Sequence, residues 1–590
     1  MPHGMPARAA DSPYRGAPGG APPYSPLPHF PGAVRPSTVT RRVAVPHTAA
    51  RRGVVRADAR PPTSTGRFVS ESKGFSTRWA MMLAMLSMAV GTGNIWRFPR
   101  IVANNGGGSF LVAWVICLFA WSIPLILIEF GMGRKTRLGP VGAFVRTIGA
   151  RYAWMGAFIA FVAVAIMAYY SVVTGWTLRY FTAAALGQVT GENSVSFWRE
   201  FSGSTAPVLP HVIAIVGATV IVAKGVRGIE RTTSLLMPIL IAIILLLTGR
   251  ALMLPGASAG LAYFYGVDWS RLGDASLWLQ ALTQNAWDTG AGWGLILTYA
   301  AYMRANEDTA LNAFILPAAN NMVSLCAGMM VFCTVFTVVP QLVSSIATNP
   351  AALADFPDLQ SAIAGGATLD AGLVQRTIFG AGNEGVTFIW IPKLFATLPG
   401  GRIFMSFFFL ALALAAFTSL ISMVELGTRV LLDMGWTRAR AVWVVGAFGL
   451  VLGLPSAFSL DVLHNQDWVW GVALMLSGLF FAIAVIRMGP AKFRAEQINH
   501  QDSNIRVGAW WDWVIRILVP AEAIILMGWW LWQVRGPGSM DPFGIENIGT
   551  IAMQWGVVLA LLLLFNKKLG RVAPVETAQM DAGMMPPSIP

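Results

Sequence analysis

The chain alternates between long apolar runs and short polar connections over most of its length. After about residue 72, apolar runs recur that are roughly 20 residues long, the length a helix needs to cross about 30 Å of hydrocarbon. They lie near residues 79–103, 110–131, 153–180, 208–223, 234–253, 277–302, 311–339, 401–432, 441–458, 466–486, 512–533 and 549–566. This pattern predicts an all-α integral membrane fold with about 12 transmembrane helices.

Two of these runs contain residues that weaken a helix in lipid. The first contains GTGNIWRFP, residues 91–99, and the sixth contains AWDTGAGWG, residues 286–294. Lipid cannot satisfy bare backbone groups, so an interrupted helix must line a cavity or lie buried in protein. Breaks at matching positions of two five-helix halves predict a binding site near the membrane midplane. Freed carbonyl groups suit Na⁺ and half-helix N-termini suit a carboxylate, which favours an amino acid moving with sodium.

Composition and motifs narrow the class further. Of 590 residues, 55% are hydrophobic and 12% charged, whereas soluble chains carry roughly 25% charged residues. HExxH and Walker-type phosphate-binding motifs are absent from the sequence, and the predicted spans show no His, Cys or acidic cluster in catalytic spacing, which argues against an integral-membrane enzyme and an ATP-driven pump. Lys and Arg are enriched in the loops on one side, so we expect a multi-pass cell-membrane protein with both termini cytoplasmic.

The two ends of the chain differ from the apolar core. Residues 1–72 are rich in Pro, Gly, Ala and Arg without apolar periodicity, and they carry much of the formal net charge of +14. A disordered tail without a nucleic-acid partner is predicted. The alternatives for this tail are contact with anionic lipid or nucleic acid, or a targeting role. Residues 491–570 hold helices 11 and 12, with AWWDW at 509–513 as an interfacial anchor, and 571–590 form a second disordered tail.

GTGNIWRFP, followed by NNGGGSF at residues 104–110, resembles the first-helix signature of the neurotransmitter:sodium symporter family, whose bacterial members include the leucine transporter. The resemblance continues with YYSVVTGW in helix 3, TYAAY in helix 6, FTSLIS in helix 8 and DWVWG in helix 10, and so covers about residues 73–490. It implies a core of two inverted five-helix repeats, at about 73–255 and 275–490, with helices 1 and 6 broken. It also implies sodium-coupled symport by alternating access.

The resemblance implies two sodium sites and an anion pocket. The first sodium site comprises Ala89, Asn94, Asp288 and Asn320, and the second comprises Ser87, Val90, Ala415, Thr418 and Ser419. The chloride pocket of other members matches Gln284, Asn320 and Ser324, with Trp114 in place of its usual tyrosine. Asp288 stands where the family usually has Ser or Thr. We expect its carboxylate to replace chloride, making transport chloride-independent; the alternative is a carboxyl kept neutral by burial.

The resemblance also implies a substrate pocket. Gly91 stands where monoamine carriers have an aspartate, which favours a substrate with its own carboxylate, and Tyr170 matches the tyrosine that binds that group. The implied substrate-binding residues are Met88, Ala89, Gly91, Thr92, Gly93, Ile166, Tyr170, Trp287, Asp288, Gly290, Trp293, Ser419 and Met423. Mostly apolar walls predict a neutral, hydrophobic or small amino acid. Betaine, taurine or a beta-amino acid as solute, and a transporter-like sensor, are the alternatives; a monomer and a homodimer both remain open.

Gating residues follow from the same resemblance. Arg97 and Asp467 match an ion pair that closes the outer gate once substrate is bound, with Trp293 as the aromatic lid. Tyr302 and Asp433 match the inner closing network, for which Lys73 or Arg78 could supply the N-terminal cation. Glu425 is a further buried acid, either for proton coupling or for structure.

Overall fold

The computed structural model describes residues 74–304, 306–500 and 503–572, whose regular secondary structure is helical, with no strand among them. The tail predicted at residues 1–72 lies outside these residues, as does nearly all of the one predicted at 571–590. Twelve apolar helical segments occur in the described part, each at a position expected from the sequence. They are called spans 1 to 12 in chain order, and the prediction of an all-α membrane fold is confirmed.

Ten spans are continuous along the chain and two consist of two helices each. The spans are Arg78–Ala89 with Gly93–Asn104, Gly108–Thr136, Ala150–Leu186, Val208–Ala223, Val226–Leu252, Ala275–Asp288 with Leu295–Ala300, Thr309–Thr348, Gly401–Asp433, Arg438–Phe458, Leu460–Met488, Trp510–Gln533 and Ile548–Leu564. Shorter helices outside them include Pro140–Ile148, Ser194–Ser202, Ala257–Tyr265, Pro357–Ala364, Ala371–Gly380 and Ile391–Ala396.

The breaks fall in spans 1 and 6, five spans apart, as two five-helix repeats require. The two halves of span 1 are bent by 55°. In span 6, Gly290, Gly292 and Gly294 have φ angles of 73°, 84° and 77°, which residues with a side chain rarely adopt. Because these glycines end one helix and begin the next, the backbone between Asp288 and Leu295 is free to bond elsewhere.

Span 8 packs along span 3 and also contacts the first half of span 1. Span 8 therefore lies beside the break in span 1. We call the end of the bundle at which span 1 begins the inner end, and the end at which it finishes the outer end. The segment before span 1 covers the inner end: Phe75 is buried, its N–H donates to the Tyr302 carbonyl at 3.3 Å, and its ring meets Tyr299 edge-on at 5.9 Å.

Spans 11 and 12 lie beside this core and are attached to it by specific contacts. In the AWWDW segment, Trp511 is fully buried and its indole N–H donates to the Pro124 carbonyl at 3.2 Å, whereas Trp510 and Trp513 face outward. Trp511 therefore fixes span 11 to span 2, a role that the prediction of an interfacial anchor did not include. On span 12, the Trp555 indole N–H donates to a carbonyl of span 10 at 3.1 Å.

Candidate solute and sodium site

The break in span 1 leaves carbonyl oxygens without helical partners beside span 8. The hydroxyl oxygen of Ser419 lies 3.5, 3.2 and 3.4 Å from the carbonyl oxygens of Ser87, Met88 and Val90. One hydroxyl proton can satisfy only one of these three acceptors. The remaining oxygens, at the negative end of a half-helix, form a cluster that suits a hard cation.

The other members of the predicted second sodium set lie in the same region. Thr418 and Ala415 are fully buried on span 8, one turn apart. The Thr418 hydroxyl bonds to its own helix, 3.0 Å from the Leu414 carbonyl and 3.2 Å from the Ala415 carbonyl. The oxygen atoms that this set offers as ligands are all hydroxyl or carbonyl oxygens, which fit Na⁺.

A second polar cluster lies on the other side of the break. The Asn94 side-chain amide donates to Asn320 Oδ1 at 2.9 Å and to Ser324 Oγ at 2.8 Å. Its own Oδ1 accepts the Gly91 N–H at 2.8 Å. Asn94, Asn320 and Ser324 are fully buried, so spans 1 and 7 meet here through amide and hydroxyl groups that the sequence places more than 200 residues apart.

Asp288 ends the first half of span 6 next to this cluster. Its Oδ2 accepts from the Gln284 side-chain amide at 3.2 Å, while its Oδ1 is buried with no hydrogen-bond partner among the described residues. A buried carboxylate oxygen without a partner is costly unless a cation compensates it. This orphaned oxygen fits the predicted first sodium set, whose remaining member, Ala89, is the last residue of the first half of span 1.

A cavity of about 500 Å³ extends from the two breaks toward the outer end. All but one of the predicted substrate-binding residues line it: Met88, Ala89, Gly91, Thr92, Gly93, Tyr170, Trp287, Asp288, Gly290, Trp293, Ser419 and Met423. The exception is Ile166, which is fully buried in the core and does not contribute to the wall. The cavity also reaches Trp468 of span 10 and Trp530 and Gln533 of span 11, which the sequence analysis did not assign to the site.

Gly91 is positioned between the two hydroxyl groups of the site. A Cβ atom there would lie 3.0 Å from the Tyr170 hydroxyl oxygen and 3.2 Å from Ser419 Oγ, so glycine lets the backbone approach both. The Tyr170 hydroxyl accepts from the Thr92 N–H at 3.2 Å and lies 3.3 Å from the Thr92 hydroxyl. Tyr170 is thereby held against the break.

The aromatic ring beneath Arg97 is Trp287 rather than Trp293. The Arg97 guanidinium carbon lies 5.7 Å from the Trp287 ring centre, while the Trp293 indole N–H donates to the Ala286 carbonyl at 2.9 Å. The two indoles meet edge-on at 5.7 Å. A side chain at Gly471 would clash with the Trp287 ring, so span 10 accommodates this indole only because residue 471 is glycine.

The predicted outer ion pair is not formed in this conformation. Arg97 donates to Gln284 Oε1 at 2.8 Å, and Asp467 accepts from the Tyr169 hydroxyl at 2.9 Å. Both charged residues line the cavity, and within the described residues no ion pair joins them. The cavity is therefore open toward the outer end.

The inner end is closed by a charged network that differs from the expected one. The Tyr302 hydroxyl donates to Glu425 at 2.5 Å, and Arg438 contacts both carboxylate oxygens of Glu425 at 2.9 and 3.0 Å. Asp433 pairs with Arg429 at 3.0 Å. Glu425 is fully buried and compensated by Arg438, which favours the structural interpretation of this acid.

Of the two proposed N-terminal cations, only Arg78 lies within the described residues, and it does not join this network. Lys73 lies outside the described residues, and Arg78 contacts Asn312 at 3.1 Å and Glu307 at 3.8 Å instead of Asp433. The sequence did contain a signal for the cation that pairs with Asp433. Arg429 precedes Asp433 by four residues, so the two side chains lie on one face of span 8.

Glu129 of span 2 is the main site residue that sequence reasoning missed. It is fully buried, and its carboxylate accepts the Gly292 N–H at 2.7 Å and the Leu297 N–H at 3.1 Å. These donors are freed by the break in span 6, so Glu129 satisfies the backbone that the glycines release. A carboxylate within an apolar run was the available signal.

Two spans broken at matching positions, oxygen-lined clusters at the breaks and a cavity between them define an ion-coupled transporter with its site inside the membrane. The sodium:neurotransmitter symporter family matches residues 72–200 and 200–566, and the chain belongs to that family. Its relatives are sodium-dependent transporters, not enzymes.

Individual relatives match over most of the core. An uncharacterized sodium-dependent transporter of Methanocaldococcus jannaschii is 27% identical over 76% of this chain and 88% of its own length. A second one, from Bacillus subtilis, is 26% identical over 78% of this chain and 98% of its own length. The crystal structure of MhsT in complex with L-phenylalanine is similar with a TM-score of 0.63 and 26% identity, covering 77% of this chain and 99% of that one.

Proposed function

We propose that this chain is a symporter that imports a neutral, hydrophobic or small amino acid together with sodium by alternating access, without a requirement for chloride. The observation that carries the proposal is the pair of oxygen clusters at the break in span 1, one around Ser419 and one at Asn94 and Asp288. Both border a single cavity, so ions and solute bind side by side.

Two sodium ions are proposed, one at each cluster. The Ser419 cluster is made of neutral oxygens, whereas the Asp288 cluster contains a carboxylate oxygen without a partner. A tenfold gradient contributes about 1.4 kcal/mol for each ion. A potential of 100 mV adds roughly 2.3 kcal/mol for each charge. Two ions therefore supply about 7 kcal/mol, enough for accumulation of a neutral solute by about 10⁵-fold.

The walls of the cavity support an amino acid as the solute. Gly91 offers no acid to an amine, and the Tyr170 hydroxyl, which accepts from the Thr92 N–H and keeps its own proton, lies beside it as a donor to a carboxylate. Trp287, Trp293 and Met423 supply apolar surface for a neutral side chain. The similarity to MhsT, whose structure contains L-phenylalanine, agrees with this class of solute.

Chloride independence is proposed from Asp288. Its carboxyl group accepts from Gln284 and lies near Ser324, two members of the predicted anion pocket, so the ionised form of Asp288 places a negative charge beside the Asn94 cluster. We expect Asp288→Ser to retain uptake only when chloride is present, while the unmodified chain transports equally well in gluconate. Loss of uptake by the unmodified chain in gluconate contradicts the proposal.

Alternating access is proposed with the outer end facing outside and both termini cytoplasmic. The open cavity, with Arg97 and Asp467 apart, corresponds to the state that receives ions and solute from outside. Closure then pairs these two residues, and opening of the inner end requires Phe75 to leave Tyr302 and Tyr299.

The experiment that tests the proposal is uptake by proteoliposomes from a mixture of common amino acids with betaine, taurine and beta-alanine, followed by mass spectrometry of the trapped contents. An inward sodium gradient is compared with potassium in its place. Sodium-dependent enrichment of neutral amino acids is the expected result. Enrichment of betaine or taurine alone contradicts the solute class, and absence of enrichment in tight vesicles contradicts the symport.

A further inference from the structure

A hairpin before span 8 reaches into the mouth of the cavity. After the helix Ala371–Gly380 the chain turns at Gly382, whose φ is 77°, and this turn places Asn383 and Glu384 on the cavity wall. Arg100, on the outer half of span 1, donates to Asn383 Oδ1 at 2.8 Å. One side of the hairpin tip is thereby attached to span 1.

The other side of the tip faces span 10. His464 Nε2 lies 3.7 Å from Glu384 Oε1, a distance at which the two form an ion pair when the imidazole is protonated. The side chains are 42% and 21% exposed, so protons from the outer compartment reach the pair. Histidine changes charge between about pH 5 and pH 8, which makes this contact dependent on the external pH.

The charges around the pair determine which member titrates. His464 faces Glu384 on the hairpin, Asp467 on its own span and Glu546 on the segment before span 12, while Glu384 also faces Arg100. Burial acts to raise the pKa of the Glu384 carboxyl, but the neighbouring imidazole of His464 and the charge of Arg100 outweigh it and hold that pKa below its usual value. Glu384 therefore stays ionised while His464 gains or loses its charge.

We propose that Glu384 and His464 form a second contact of the outer gate, beyond Arg97 and Asp467, which protonation switches on and which stabilises the open outer conformation. In this structure the contact coexists with the unpaired Arg97 and with the assembled oxygens around Ser419. The Glu384–His464 contact stabilises the conformations in which it forms, and bound sodium stabilises the conformations in which the oxygens around Ser419 are assembled. Because this structure contains both features, each favours the same conformation. Protonation of His464 therefore tightens sodium binding.

The inference rests on the proposed function for the role of sodium but not for the identity of the solute. The experiment measures equilibrium binding of radioactive sodium to the full chain in lipid nanodiscs, without solute, from about pH 5.5 to about pH 8.5. A partly exposed ion pair supports a change in affinity of up to about fivefold. Any effect of pH on the sodium sites themselves is common to every variant, so the readout is the ratio of variant to unmodified affinity at each pH.

Three variants make the test specific. His464→Arg keeps a permanent positive charge, so it matches the unmodified chain at acid pH and exceeds its affinity at alkaline pH. His464→Gln matches the unmodified chain at alkaline pH and falls below its affinity at acid pH. Glu384→Gln also loses the charge that faces Arg100 at every pH, but its affinity ratio falls further at acid pH by the same factor, and His464→Gln added to it has no further effect. The matched control is His500→Gln in the loop after span 10, for which the ratio stays at unity throughout.

Two contrary outcomes are distinguishable. Saturable sodium binding with the same pH profile in the unmodified chain, His464→Gln and His464→Arg overturns the gate contact and leaves the proposed symport intact. Additive effects of His464→Gln and Glu384→Gln also overturn it, because they show that the two side chains act separately. Absence of saturable sodium binding to the unmodified chain overturns both proposals.

Discussion

The close approach at Gly91 gives a quantitative prediction about the sodium site. In Gly91→Ala the new methyl group would lie 3.0 Å from the Tyr170 hydroxyl oxygen and 3.2 Å from Ser419 Oγ. Both distances are shorter than an ordinary carbon–oxygen contact, and both hydroxyl groups are already held, by Thr92 and by the carbonyls of span 1. The methyl group must therefore displace Ser419, Tyr170 or the backbone that forms the ion cluster.

The size of the effect follows from the cost of overpacking a buried site, about 1–3 kcal/mol. If the ion cluster carries this cost, sodium affinity falls by roughly 5- to 150-fold. The assay is equilibrium sodium binding to purified protein without solute, accompanied by thermal unfolding to show that the variant is folded. Sodium-driven uptake should fall in parallel, because the same oxygens serve both processes.

Gly93→Ala is the matched control, because Gly93 lies in the same break and a Cβ there has no neighbour within 4 Å. The two substitutions change the unfolded chain in the same way, so any difference between them arises in the folded site. We expect Gly93→Ala to bind sodium like the unmodified chain. Equal affinities in the two variants, or a larger loss in Gly93→Ala, would refute the packing argument.

Three other substitutions test the remaining contacts. Glu129→Gln removes one acceptor from the backbone donors of span 6, which should lower the free energy of unfolding by about 1–3 kcal/mol; unchanged thermal stability would count against this role. Arg438→Met leaves Glu425 buried without a cation, at a cost of about 3–5 kcal/mol, and Glu425→Met added to it should recover most of the thermal stability; further loss would contradict the pairing. Trp287→Ala should weaken solute binding, measured by competition, whereas Trp287→Phe, which keeps an aromatic ring, should bind the solute nearly as well as the unmodified chain. Unchanged binding in Trp287→Ala would show that this ring does not contribute to the solute site.

The sequence by itself was sufficient for the membrane spans and the two breaks. Span length and apolar character are local properties, and a helix in lipid must satisfy its own backbone, so each run of sufficient length forms a helix. The glycines near residues 91 and 290 are equally local signals, because they cannot be explained inside an ordinary membrane helix. All but one of the substrate-binding residues that the resemblance indicated line a single cavity, Ser419 among them, and Asn94 of the first sodium site lines it too.

Other features required the packing of distant spans. Ile166 and Tyr170 lie one turn apart on the same face of span 3, yet only Tyr170 reaches the cavity, because the neighbouring spans decide how deep along that face the cavity extends. The sequence likewise could not distinguish Trp287 from Trp293 as the ring beneath Arg97.

What the sequence determined about this protein is therefore its class: twelve apolar helices, two of them broken, in a family of sodium-dependent transporters. What only the tertiary structure decided is the partner of each acid: backbone N–H groups of span 6 for Glu129, Arg438 for Glu425 and His464 for Glu384. Helix formation depends on neighbours within a few residues, whereas an ion pair between spans depends on the rotation and depth of both helices. Those quantities come from side-chain packing across the whole bundle.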